Sequence, residues 1–373
     1  MAIHQVDISD RRAVQRYLDL PFHLYRNNPL WVPPFASEAR AQLDPARHPF
    51  YQHSQAAFFL ATMGSEPVGR IAVLDNRRYN KYHGERTAFF YHFESVDDRS
   101  VSRALFDAAF DWARQRGLDR LWGPKGFSAV DGQGVLIEGF EHRPAMGVPY
   151  NPDFYAALLE DAGFQKQLDF VSCYLDRNIG LPARFLEVAE KVRQRRNLRT
   201  LSFRSKDELR AMIPRIAAVY NQSFVEVQGY TPLTETEARA IGERILTVAD
   251  PTLIKLLMKD DKIVGFILAY PDLSAAIQRC RGRLWPTGWL HLKREFGRTE
   301  WINFNGAGIL APYRGLGGNA LLYAEMHSVL WKRTQYQHGD LVQVQETNMR
   351  MIQELEAVGV RPYKKHRVYV RPL

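Results

Sequence analysis

Three glycines in four residues, Gly315, Gly317 and Gly318, follow Arg314 where the apolar run Ile309-Leu310-Ala311 gives way to an amphipathic one. Glycine loses more conformational freedom on folding than any other residue, so such a cluster has a cause. Two causes fit: a tight strand-to-helix turn, or close approach of the backbone to a ligand. In the second, the free N–H groups of the first helical turn and the positive end of the helix dipole face an anion. The helix is expected from near Leu316, with Leu322, Met326, Val329 and Leu330 forming its inward stripe. The charge of the chain points the same way. Met1 to Asp176 holds 19 Lys and Arg against 22 Asp and Glu, a balance of −3, whereas Arg177 to Leu373 holds 31 against 19, a balance of +12. An anionic partner for the second half, a phosphorylated cofactor or a nucleic acid, follows from that asymmetry.

Other chemistries lack their residues. There is no G-x-x-x-x-G-K-[ST], no H-E-x-x-H and no G-x-S-x-G, and the eleven His fall at no metal-ligand spacing, so no metal is expected. The two cysteines, Cys173 and Cys280, are too few for a disulfide framework and fit a reducing compartment. The first residues, MAIHQVDISDRR, carry acids and no apolar core, unlike a signal peptide. No apolar run approaches the ~20 residues that span a bilayer. A cytoplasmic protein is the expectation.

The elements that would position the glycine loop repeat along the chain. With 373 residues and 46% apolar content, two globular domains are the natural division. GSEPVGRIAVL (64–74) and KDDKIVGFILAY (259–270) each read as a turn and a β-branched strand. NPDFYAALLEDAGFQK (151–166) and NMRMIQELEAVGVRPY (348–363) each read as an Asn, a helical run and a terminating Gly. Gly69 to Gly163 and Gly265 to Gly359 both span 94 residues, and the two sets lie 196 apart. That is the signature of a duplication. The expected division is 1–176, a helical connector at 177–197 and a second domain at 198–373. Each copy adds an insertion, 124–150 in the first and 272–298 in the second, functional or merely structural. In the second, Trp285, Trp289 and Phe296 alternate with Arg and Lys, as in a lid, a packing extension, or a surface for membrane or nucleic acid.

A strand, an Arg-Gly-x-Gly loop, an amphipathic helix, a further strand and an Asn-led helix ending in Gly together resemble the GNAT superfamily of acyl-CoA N-acyltransferases. The resemblance covers most of the chain as two copies and is close to that of bacterial tandem-GNAT proteins. It implies an α/β fold of two tandem domains, each a mixed, splayed sheet flanked by helices, with acyl-CoA bound where the fourth and fifth strands part. It further implies N-acyl transfer from acetyl-CoA or another acyl-CoA to a small-molecule or peptide amine. Arg314, Gly315, Leu316, Gly317, Gly318 and Asn319 would then hold the CoA pyrophosphate, and Gly308, Ile309 and Leu310 would offer backbone N–H groups to the thioester carbonyl. Asn348 matches the family's Asn at the start of the last helix. Glu226 and Tyr230 fall where the family contacts acceptors. Asn303 and Asn305, sharing a strand face by period two, either line the acceptor pocket or sit on an exposed edge. Glu346 is the candidate general base, directly or through water.

The chain departs from the family at three places. Asn319 replaces the usual Gly or Ala. Leu355 stands where a Tyr often protonates the departing thiolate, leaving Tyr363 as the substitute. In the first copy FFYHFESVDDRSVSRALFDAAF has no glycine and puts Glu94, Asp97 and Asp98 near the helix start, where they would repel a pyrophosphate. The first copy is therefore expected to be degenerate, and one CoA per chain is expected. The rival reading is a non-catalytic CoA-binding or scaffolding protein. No nucleic-acid module is recognised, which argues against that partner; a homodimer is left open.

Overall fold

The computed structural model describes residues 1–195 and 197–373. Arg196, inside the expected connector, lies outside the described residues. The first half runs β1 (Ala2–Gln5), α1 (Arg11–Leu24), α2 (Ala36–Ala41), β2 (Gln55–Met63), β3 (Glu66–Asp75), α3 (Arg77–His83), β4 (Thr87–Ser95), α4 (Arg99–Arg114), β5 (Arg120–Gly123), β6 (Val135–Glu138), α5 (Tyr155–Asp161) and β7 (Gln165–Asp176). The second runs α6 (Ala183–Arg195), β8 (Leu198–Ser202), α7 (Lys206–Ser223), α8 (Glu235–Val248), β9 (Ile254–Lys259), β10 (Lys262–Pro271), α9 (Ser274–Arg279), α10 (Gly288–Phe296), β11 (Trp301–Ile309), α11 (Gly318–Lys332), β12 (His338–Gln345), α12 (Met349–Val358) and β13 (Arg361–Pro372). Both terminating glycines are left-handed, Gly163 at φ +83° and Gly359 at φ +90°.

The duplication is visible strand by strand. β1–β2–β3–β4 are antiparallel neighbours and β4–β5 are parallel. In the same pattern β8–β9–β10–β11 are antiparallel and β11–β12 parallel. Both parallel pairs are short. β4 meets β5 only over Thr87–Phe89, and β11 meets β12 only over Trp301–Phe304, although the longer strands continue. That is the expected splay.

Two compact units form, and they do not follow the expected boundaries. The first holds Met1–Val171, Ser274–Leu292 and Tyr363–Leu373; the second holds Ser172–Leu273 and Lys293–Pro362. The reason lies in the final strands. β13 pairs antiparallel with β5 through Tyr369↔Gly123, so the chain's last segment completes the first unit's sheet. The end of β7 runs beside β12 in the second unit. The expected connector is no bare linker either. Ala189 and Val192 of α6 are buried in the second unit's core with Leu257, Leu321 and Met326, and Arg193 pairs with Glu325 of α11 at 2.6 Å. The first insertion and Ser274–Leu292 of the second are built into the first unit. β6 pairs with β13, and α9 holds the 29–36 segment. Among the described residues no helix is long and apolar enough to cross a membrane.

Candidate active site

In the second unit a 3₁₀ turn, Ala311–Tyr313, leads from β11 to the glycine loop, and α11 begins at Gly318. Helices α1, α4, α7, α8 and α12 each take a side-chain cap, from Asp10, Asp98, Ser205, Thr234 and Asn348. α11 takes none; its N-cap is Gly317 at φ +83°. An uncapped helix start leaves backbone donors for water or a ligand. Gly315, exposed at φ +77°, has open space where a Cβ would stand.

The other two glycines have packing reasons. A Cβ on Gly317 would lie 2.5 Å from Val192 and 3.0 Å from Val188 of α6, and one on Gly318 would lie 2.5 Å from Leu257. The space beside Gly317 that the sequence reading kept for a phosphate is filled by α6. Leu316 is half-buried against the same core. Arg314 is spoken for: its Nε donates to the Ile309 carbonyl at 3.0 Å, Nη2 to the Ser223 carbonyl at 3.1 Å and Nη1 to Glu226 at 2.6 Å. It therefore ties the loop to the end of α7. Asn319 donates at 2.7 Å to Glu354 of α12. Burial raises the Glu354 carboxyl above its ordinary range, and the Asn319 hydrogen bond opposes that rise.

Of the three backbone amides expected to face a thioester, two are committed to the sheet. Leu310 N–H donates to the Val264 carbonyl at 2.9 Å. An antiparallel ladder alternates, so Gly308, opposite Phe266, points its amide the same way. Ile309 N–H points instead to the side where β12 has parted from β11. The fourth strand also breaks the assumed period. Leu268 pairs with Gly306 and Ala269 with Phe304, leaving Asn305 as a bulged residue. A bulge moves all later residues to the opposite face. Asn303 shares its face with Gly306 and Gly308, while Ala307 packs into the core on the α6 and α11 side.

Most expected acceptor contacts already have partners within the protein. Asn303 is buried and donates to Asp272 at 2.9 Å. Asn305 is exposed and hydrogen-bonds the Tyr270 hydroxyl. The Tyr230 hydroxyl donates to the Asn221 carbonyl at 2.7 Å, and Glu226 holds Arg314. Asn348 caps α12 by accepting from Met351 N–H at 3.2 Å. Glu346 lies half-buried in the turn after β12. Leu355 is buried. Tyr363 belongs to the first unit, its ring 5.0 Å from that of His142. Among the described residues no group of three His, Cys, Asp or Glu gathers as a metal site requires.

Sequence reasoning missed a polar cluster in the first unit. Glu94 is not a repelling acid at the start of α4; it turns inward. Its Oε2 accepts from the Tyr25 and Tyr155 hydroxyls at 2.7 and 2.8 Å, and Oε1 lies 3.8 Å from Arg70. His92, at φ +52° where β4 slips register against β3 between the Arg70↔Glu94 and Ala72↔Tyr91 pairs, meets Gln42 at 2.9 Å and Tyr17 at 3.4 Å. Burial, and then Arg70, hold His92 well below its usual range, so the ring is neutral. Burial raises Glu94 against the opposing pull of Arg70 and the two tyrosines. A charged residue inside the run GRIAVL was the available signal. Asp98, by contrast, is where the sequence placed it, capping α4 through Ser100 N–H at 2.7 Å.

No protein-family profile matches the chain. A curated protein of Caulobacter vibrioides named bacterial ceramide synthase is 28% identical over 99% of this chain and 97% of its own length. Protein YghO of Escherichia coli is 26% identical over 98% of this chain and 94% of its own. Among solved structures, a tandem GNAT protein from the clavulanic acid biosynthesis pathway superposes with a TM-score of 0.55 at 16% identity, covering 100% of this chain and 98% of its own. Duplicated strand order, paired splays and whole-chain superposition agree: this chain has the tandem GNAT fold.

Proposed function

We propose that the protein is an acyl-CoA-dependent N-acyltransferase whose donor site lies in the second unit. The observation that carries this reading is the uncapped start of α11 beside the parted strands β11 and β12, set against the matching start of α4, which Asp98 caps. Backbone donors and the helix dipole favour a pyrophosphate at the first and a carboxylate already satisfies the second. The residues present fit an acyl-CoA at Gly315 and the first turn of α11, with Val192 walling the Gly317 side. Ile309 N–H would receive the developing oxyanion.

In the transfer the acceptor nitrogen attacks the thioester carbonyl, a C–N bond forms and the C–S bond breaks. Glu346 takes the amine proton, directly or through water. The sulfur leaves as thiolate, since Leu355 offers no proton. A thiol of pKa ~8.5 makes that departure cost roughly 2 kcal/mol at neutral pH. The name of the Caulobacter relative supports a long-chain amine as acceptor and a fatty acyl group as donor, in place of the default acetyl group.

The test is thiol release from acetyl- and palmitoyl-CoA with a panel of long-chain and short amines. Acceptor-dependent release, with Glu346→Gln retaining CoA affinity and losing most turnover, supports the reading. Tight CoA binding without release for any amine would favour the non-catalytic reading that buried Leu355 supports. Full turnover by the variant would remove Glu346 from the mechanism.

A further inference from the structure

The insertion that begins at Ser274 has two contrasting sides. Its inner side is fixed on the first unit. Gln278 donates to the carbonyls of Pro29 and Trp31, both at 2.9 Å, and Ala36 N–H donates to the Gly282 carbonyl at 2.9 Å. The Arg281 guanidinium lies 5.0 Å from the centre of the Phe22 ring. Ala276, Ile277 and Leu292 are buried. The turn at Gly282 and Gly288 is so tight that a Cβ at either would collide with backbone, of Pro34 and Arg283 respectively.

The outer side is what a soluble surface normally avoids. Trp285 is 83% exposed, Trp289 48% and Leu290 50%, three large apolar side chains within six residues. Trp289 is held in place, its indole N–H donating to the Pro286 carbonyl at 3.0 Å. In the same stretch Arg279 and Arg283 are exposed. The sequence from Ser274 to Arg294 contains five Lys and Arg and no Asp or Glu. Exposed tryptophans on a hydrogen-bonded support, in a stretch of chain that holds cations and no acids, match the chemistry of a bilayer interface, where indoles settle at headgroup depth and arginines meet anionic lipid.

We propose that this face docks the protein on anionic membrane surfaces. The inference stands apart from the acyl-transfer reading, since it rests on other residues. Leu290 and the tightly turned backbone favour lipid over single-stranded nucleic acid, which would need bases stacked along a groove.

The experiment is cosedimentation of the full-length protein with phosphatidylcholine vesicles, with and without phosphatidylglycerol, at low and high salt. Binding is expected only with phosphatidylglycerol and is expected to weaken with salt. Trp285→Ala/Trp289→Ala should lower the partition coefficient about tenfold or more, and Arg283→Glu about fivefold or more. Circular dichroism checks that each variant is folded; should the double variant fail, Trp285→Ser alone, at the most exposed position, serves. Absence of sedimentation with anionic vesicles, equal binding by wild type and folded variants, or tighter binding to a labelled single-stranded oligonucleotide than to vesicles would each overturn the proposal.

Discussion

Gly317 carries the sharpest mutational expectation, because two separate penalties meet there. Its φ of +83° lies in the left-handed region, and a Cβ would stand 2.5 Å from Val192 Cγ2. For Gly317→Ala the backbone term is about 1 kcal/mol and the overpacking term about 1–3 kcal/mol, so the variant should lose about 2–4 kcal/mol. Val192→Ala alone removes two buried methyl groups and should cost about 2 kcal/mol. In the double variant the closest methyl is gone, leaving the backbone term and the looser 3.0 Å contact with Val188, so the loss should be little more than about 3 kcal/mol where the single effects sum to about 4–6. The coupling, about 1–3 kcal/mol, is the signature of α6 packed on the loop. Urea unfolding of the four proteins, compared at matched slopes, measures it. Additive losses would show that Val192 does not touch Gly317, and the account of what that glycine does would fail.

Three other expectations follow from buried groups. His366 is fully buried, its Nε2–H donating to the Pro149 carbonyl at 2.9 Å, and burial pushes its pKa down from 6.5 to about 4. The unfolded chain therefore binds a proton between those values that the folded chain refuses, so this stability is complete above about pH 6.5 and about 3 kcal/mol is lost by pH 4; His366→Gln should flatten urea-midpoint profiles across that window. Glu94→Ala strands Arg70, whose side chain is nearly buried, and should cost about 3–5 kcal/mol, whereas Glu94→Gln should cost less, read from thermal unfolding. Burial also pushes the Cys173 thiol up to about 11, so a thiol reagent at pH 8 should modify it only after unfolding, counted against a Cys173→Ser control.

What the sequence revealed depended on the kind of signal. The order of strands and helices and the helix ends at Gly163 and Gly359 were legible because hydrophobic period and glycine punctuation are local, whereas the splayed sheets came from the family resemblance. The unit boundaries were not, because nothing within residues 363–373 says that this strand pairs with residues 120–123. The loop at Arg314 was found from its glycines, but the packing reasons for Gly317 and Gly318 were not, because Val188, Val192 and Leu257 are distant in sequence and only folding puts them there. Asn303 and Asn305 were placed on one face because period two assumes an unbroken ladder, and the bulge at Asn305 breaks it. Glu94 was read by its closeness to α4, while its actual partners, Tyr25, Arg70 and Tyr155, come from three other elements or their ends.

The central claim is that a pyrophosphate sits at the open start of α11, and Gly315 gives direct access to it. Its φ of +77° is one that Asn and Asp tolerate better than other side chains, and open space surrounds the Cβ position. Gly315→Asn and Gly315→Asp therefore differ at the loop in little but charge. Calorimetric titration of CoA into wild type and both variants is the measurement. The account predicts one CoA per chain, near-native affinity for Gly315→Asn, and affinity weaker by tenfold or more, about 1.4 kcal/mol, for Gly315→Asp. Equal affinities for the two variants, or two equivalent sites per chain, would contradict it.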